Sequence, residues 1–137
     1  MTNKSLAQSY LRKASDRLDV LELLLKKAAY SDVVREAQEL VELALKGMLR
    51  SIGIEPPKLH DVGGLLLDHR ERFPQDIRDQ LAELAGISKR LRKERELAFY
   101  GDIDFIPTEE YSLEDARKAQ QDAQRVLQAA RRVIPEA

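Results

Sequence analysis

Apolar residues recur at steps of three and four along most of this chain, and each such run predicts a helix with one inward face. Leu6, Tyr10, Ala14, Leu18, Leu21, Leu25 and Ala28 place a first helix from about Ser5 to Ala29. Ser31-Asp32 can cap a second, whose stripe is Val33, Ala37, Leu40, Ala44, Met48 and Ile52, widened by Val34, Val41, Leu45 and Leu49. So wide an apolar face predicts more than one packing neighbour. Gly53 is a natural stop, and Pro56-Pro57 blocks re-entry. A short third helix is expected from His60-Asp61, capped by Asp61, through Val62, Leu65 and Leu66 to Phe73-Pro74. A fourth is expected from about Pro74, in its first turn, to about Tyr100, on the stripe Ile77, Leu81, Leu84, Leu91 and Ala98. After the loop "GDIDFIPTEEY", Ser112 and Asp115 form a capping-box pattern for a fifth helix, with Ala116, Ala119, Ala123, Val126, Leu127, Ala130 and Val133 inward. Four long amphipathic helices and one short one predict an all-α, antiparallel up-and-down bundle.

Composition narrows the chemistry. The 137 residues are expected to form one domain, 1–137. The net charge is −1, from 23 basic and 24 acidic residues, so nucleic acid could be held only by a local patch. There is no cysteine, which removes disulfides, thiol catalysis and cysteine-based zinc sites, and the two histidines are too few for a histidine-rich metal site. No metal and no cofactor is expected. The N-terminal stretch shows no signal-peptide run and no segment is apolar enough to span a bilayer, so a cytoplasmic protein is expected.

The stretch "KRLRKERELAFYGD", Lys89 to Asp102, breaks the pattern. The steps Leu84, Ser88, Leu91, Arg95, Ala98 keep to one helix face, which puts Ser88 and Arg95 on the core side. A buried unpaired charge is costly, so Arg95 either finds Glu39, Glu42 or Asp102, or faces a groove or second subunit, or snorkels its head into water. The cluster Lys89, Arg90, Arg92, Lys93 and Arg95 could contact phosphates; the plainer alternative is a solvated face neutralised by Glu94 and Glu96. His60 could be a distant base or a nucleotide contact, or a helix-start residue bonded to backbone near Pro57. His69, among Asp68, Arg70 and Glu71, reads as surface.

The segment "YSDVVREAQELVELALKGML", the following "GIEPPKLHD" and "RELAFYGD" together resemble the HEPN domain family, in the right order, over roughly Leu11 to Ala130. The resemblance implies a helical bundle, commonly dimeric, whose members include metal-independent RNases and toxins paired with a small nucleotidyltransferase of the MNT type. The family's nuclease signature is an arginine, four to six residues, then a histidine. Arg95 falls on the signature arginine, Glu96 on the polar residue after it, and Tyr100 on the histidine position; no histidine follows His69. A histidine, with an ordinary pKa of about 6.5, can exchange a proton near neutrality, whereas a tyrosine at about 10 is a poor base. The motif is therefore degenerate. In some family pairs the nucleotidyltransferase adds AMP to a toxin tyrosine near this motif, and by location the resemblance offers Tyr100 as a candidate acceptor.

Three functional expectations follow. The first is a homodimeric nucleotide- or partner-binding module related to HEPN/MNT toxin–antitoxin pairs, with RNA or nucleotide held by Arg95, Tyr100, Asp102 and His60. The second is a metal-independent endoribonuclease with Arg95 and Tyr100 as catalytic residues. The third is a structural helical adaptor.

Overall fold

The computed structural model describes residues 4–135, so residues 1–3 and 136–137 of the expected domain lie outside it. The helices are α1 (Lys4–Lys26), α2 (Tyr30–Ser51), α3 (Gly63–Asp68), α4 (Gln75–Arg78), α5 (Leu81–Phe99), α6 (Pro107–Glu110) and α7 (Leu113–Val133), with a 3₁₀ turn at Arg70–Arg72. No strand forms among the described residues. The expected all-α bundle is present, with α1, α2, α5 and α7 as its long members.

α2 is the helix around which the others pack. It lies against α1, α5 and α7. Val33, Val34, Ala37, Leu40, Val41, Ala44, Leu45, Met48 and Leu49 are all buried, so the wide apolar face is consumed by three internal neighbours. α7 presents Ala116, Ala119, Ala123 and Ala130, small residues that let the helix axis approach closely, with Val126 and Leu127 filling between them. Its start follows the sequence pattern: Ser112 Oγ accepts the Asp115 N–H at 3.2 Å and Asp115 Oδ2 accepts the Ser112 N–H at 2.9 Å.

Several boundaries move. α1 ends at Lys26, not Ala29, and its seam is Ala7, Leu11, Ala14 and Leu21, one position from Leu6 and Tyr10. The reason is a tight reversal: Ala28 is exposed in the left-handed region at φ 58°, and the N–H groups of Ala28 and Ala29 close back on the Leu25 and Leu24 carbonyls at 3.0 and 2.9 Å. The chain turns so soon that Ser31 and Asp32 fall inside α2; Ala29 is the N-cap, without a side-chain bond, and Ser31 is buried.

The expected third helix is α3 plus the 3₁₀ turn. Asp61 does serve its start, Oδ1 accepting the Gly63 N–H at 3.0 Å, although Val62 holds the cap position. The expected continuous fourth helix is broken at Asp79-Gln80. Pro74 caps the four-residue α4 instead of entering its first turn, and Gln80 N–H bonds Ile77 three residues back, which tightens the backbone before α5 begins. One turn of helix, α6, forms inside the stretch read as loop. Ala129 and Ile134 join the core on the α7 side, while Val133 is only partly covered.

α3 crosses α5 at Gly63. A Cβ there would lie 2.7 Å from Ala85 Cα and 2.9 Å from its Cβ, so the two backbones meet only because Gly63 has no side chain. Gly63→Ala is expected to lower stability by about 1–3 kcal/mol, the range for overpacking a close contact, in urea or thermal unfolding. Ala28→Gly is expected to act the other way, raising the melting point, because relief of a left-handed alanine outweighs the extra unfolded-state freedom by up to about 1 kcal/mol.

Candidate functional site

Near its C-terminal end α5 carries Arg95 toward α2. The Arg95 side chain is 13% exposed, and its Nη1 lies 2.7 Å from Glu39 Oε1. The same nitrogen donates to Gln38 Oε1. Arg95 is thus paired inside the chain with a glutamate of α2. Of the other two expected partners, Asp102 turns away and Glu42 is engaged elsewhere.

Gln38 is 2% exposed and acts as a junction. While its carbonyl oxygen receives Arg95, its amide donates to Glu42 Oε1 at 3.2 Å and to the His60 carbonyl at 3.3 Å. Glu42 Oε1 also meets His60 Nδ1 at 2.8 Å, and Glu42 Oε2 accepts Lys46 Nζ at 2.9 Å. Burial by itself would raise the Glu42 pKa. The hydrogen bonds from Lys46, His60 and Gln38, with the Lys46 charge, outweigh that and hold the carboxyl below the ordinary carboxylate range. His60 is therefore not bonded to backbone near Pro57. Its ring rests on a carboxylate of α2 and its side chain stays 43% exposed.

The other two expected site residues lie apart from this cluster. Tyr100 caps α5 and is 78% exposed, its ring edge-to-face on Phe99 at 4.9 Å, while Arg35 lies over the other ring, Phe99, at 5.0 Å. Asp102 Oδ1 accepts the Ile103 N–H at 2.8 Å, and its backbone exchanges two bonds with Phe105. The structure brings Arg95 and His60 onto one buried amide; it does not gather Arg95, Tyr100 and Asp102 around a groove. Gln38 and Lys46 escaped the sequence reading of the site, although Gln38 falls at helical spacing between Val34 and Val41 on the apolar face, much as Arg95 intrudes on its own stripe.

Two cations of the basic run are paired from other helices. Arg90 pairs with Asp122 of α7 and Arg95 with Glu39 of α2, whereas Glu94 accepts the Tyr111 hydroxyl instead of balancing its neighbours. Ser88, the second polar intruder, donates to Asp61 Oδ1 at 2.7 Å. Among the described residues no group of three or more His, Asp or Glu is placed to hold a metal ion. No helix there is long and apolar enough to cross a membrane.

Arg95→Ala strands the buried Gln38 carbonyl and leaves the Glu39 carboxylate with Arg35 alone, at 3.1 Å. It is expected to cost about 1–3 kcal/mol in chemical unfolding, against a few tenths for Arg12→Ala, whose pair with Asp16 is open to solvent. Glu42 has a depressed folded pKa, so its contribution is present above the unfolded value of about 4.3 and is lost as pH falls through the folded one. The stability gap between the wild type and Glu42→Gln is expected to be full at neutral pH and to close below that value in pH-resolved melts.

Comparison with known proteins agrees with this architecture. The HEPN domain model matches residues 7–133. A candidate toxin of Methanocaldococcus jannaschii is 28% identical over 140 residues, covering 98% of this chain and 91% of that protein. No solved structure matches the chain at comparable significance. With nearly its whole length matched in one helical architecture, the chain belongs to the HEPN family.

Proposed function

We propose that this protein is a toxin-like HEPN module that acts by binding, to a second copy of itself and to a partner such as an MNT-type nucleotidyltransferase, and not as an RNase working through Arg95 and Tyr100. The state of Arg95 carries the reading. A guanidinium that is 13% exposed, with its Nη1 held by Glu39 and Gln38, presents little surface to a phosphate, and the position of the family histidine is taken by an outward tyrosine. The likeness to a candidate toxin supports the toxin-like class. In this reading the Tyr100 hydroxyl, standing clear of the bundle, is the group a nucleotidyltransferase would reach. Nucleotide or RNA binding would fall to the same end of α5.

The two features that suggested a dimer from the sequence, the wide α2 face and Arg95, both have internal cover. The support passes to the end of α5 and the turn after it. There Leu97, Phe99, Tyr100, Ile103 and Ile106 are exposed within ten residues of chain, Ile103 almost completely. Apolar groups gathered in this way favour association. Light scattering at micromolar concentration is expected to give about twice 15.6 kDa, and Ile103→Asp to return the mass to one chain. A wild-type monomer would remove self-association from the reading.

A second reading, a metal-independent RNase, is favoured by one observation: the His60 imidazole is seated on the Glu42 carboxylate, which Gln38 in turn links to Arg95. Proton transfer would then come from His60, not Tyr100. In EDTA the wild type is expected to leave RNA intact. Cleavage lost in Tyr100→Phe would overturn the binding reading. Cleavage lost in His60→Gln and kept in Tyr100→Phe would establish the second in its place.

A further inference from the structure

A cleft opens between α5, α7 and the 102–111 segment, on a side of α5 that Arg95 does not use. It holds about 340 Å³, within the range of sites that take a small ligand or a few side chains. Its floor is apolar: Val34, Leu91, Leu97 and Ala119. One wall is aromatic, Phe105 and Tyr111 packing edge-to-face at 5.7 Å.

That wall is preformed. Asp102 and Phe105 exchange backbone bonds of 3.0 Å in both directions. Gly101 supports the turn at φ 71°, where a Cβ would lie 2.4 Å from the Phe105 carbonyl oxygen. Such a turn holds Phe105 in place without a ligand, so little ordering remains to be done on binding.

The charges around the cleft are unequal. Arg90 and Lys118 both close on Asp122, the latter at 3.6 Å. Glu94 receives only the neutral Tyr111 hydroxyl, and Glu110 has no ion-pair partner among the described residues. Burial first, then the hydrogen bond and charge of Glu94, push the Tyr111 phenol up, so this wall stays a neutral donor. The aromatic end therefore carries carboxylates with no cation, beside rings whose faces attract cations and an apolar floor suited to an alkyl stem.

We propose that this cleft receives an arginine side chain from a protein partner. A guanidinium can stack on Phe105 or Tyr111 and fork its donors toward Glu94 and Glu110, while its methylenes lie on Leu91 and Leu97. The inference rests on the partner-binding reading and names the residue type that reading would use. It predicts a partner with an exposed arginine flanked by apolar residues, a chemistry complementary to the cleft and distinct from the apolar contact at Ile103.

The test is a titration of the full ¹⁵N-labelled chain with the blocked peptide acetyl-Leu-Arg-Leu-amide, followed by amide chemical shifts. Saturating shifts are expected at Leu97, Tyr111 and Ala119. The citrulline counterpart, isosteric but uncharged, is expected to bind roughly tenfold more weakly or worse. Glu110→Gln, which breaks no contact in the fold, is expected to weaken the arginine peptide and leave the melting point unchanged. Glu94→Gln, which also alters the bond from the Tyr111 hydroxyl, should weaken the peptide more strongly. Equal binding of the citrulline peptide, shifts confined to Phe99–Ile103, or no shifts at all would overturn the proposal. Self-association is read separately through Ile103→Asp, so the cleft and the partner-binding reading can fail independently.

Discussion

The embedding of α2 constrains everything else. A helix enclosed by α1, α5 and α7 can carry polar side chains only where a neighbour completes their hydrogen bonds. Gln38, buried in that environment, takes one bond from α5 and gives two others, to its own helix and to the segment before α3. One amide therefore ties together α2, α5 and the 52–62 connection. Arg95 is placed by the same requirement: it is the donor that a buried carbonyl oxygen needs, and it shares the Glu39 carboxylate with Arg35. The arginine that the sequence resemblance singled out is part of the packing.

Polar order at the core edge and apolar exposure at the end of α5 are two sides of one arrangement. The helix turns its arginine inward and leaves Phe99 and Tyr100 outward. The chain beyond is folded back by Gly101 and the Asp102–Phe105 bonds, so Ile103 stands in solvent while Phe105 is drawn in against Tyr111. The same turn thereby makes an exposed apolar knob and one wall of a cleft. A binding role is coherent with that layout, because both surfaces are formed by the chain's own turn. The Glu42–His60 contact stands apart, a carboxylate-backed imidazole with a partly open ring.

The residues themselves determined the long helices. The three-and-four spacing, the Ser112 capping box and the stop before Gly53 are local, and local physics suffices for them. The family was legible too, in short segments whose order survives from α2 to the end of α5. What periodicity could not place were the joints. Ala28 in a left-handed turn, the break at Asp79-Gln80 and the one-turn α6 are set by how the long helices must meet, and a strained alanine carries no signal in its identity.

The candidate site divides along the same line. That Arg95 intrudes on an apolar stripe is legible in the sequence alone, and the resemblance set Tyr100 beside it as a candidate. Which glutamate meets Arg95, that His60 reaches Glu42 across eighteen positions, and that Asp102 belongs to its own turn were decided by tertiary structure. The physical reason is range. Helix periodicity is a nearest-turn property written into consecutive residues. A buried hydrogen-bond partner depends on the distance and rotation of a helix dozens of residues away, and these follow only once the whole core has packed.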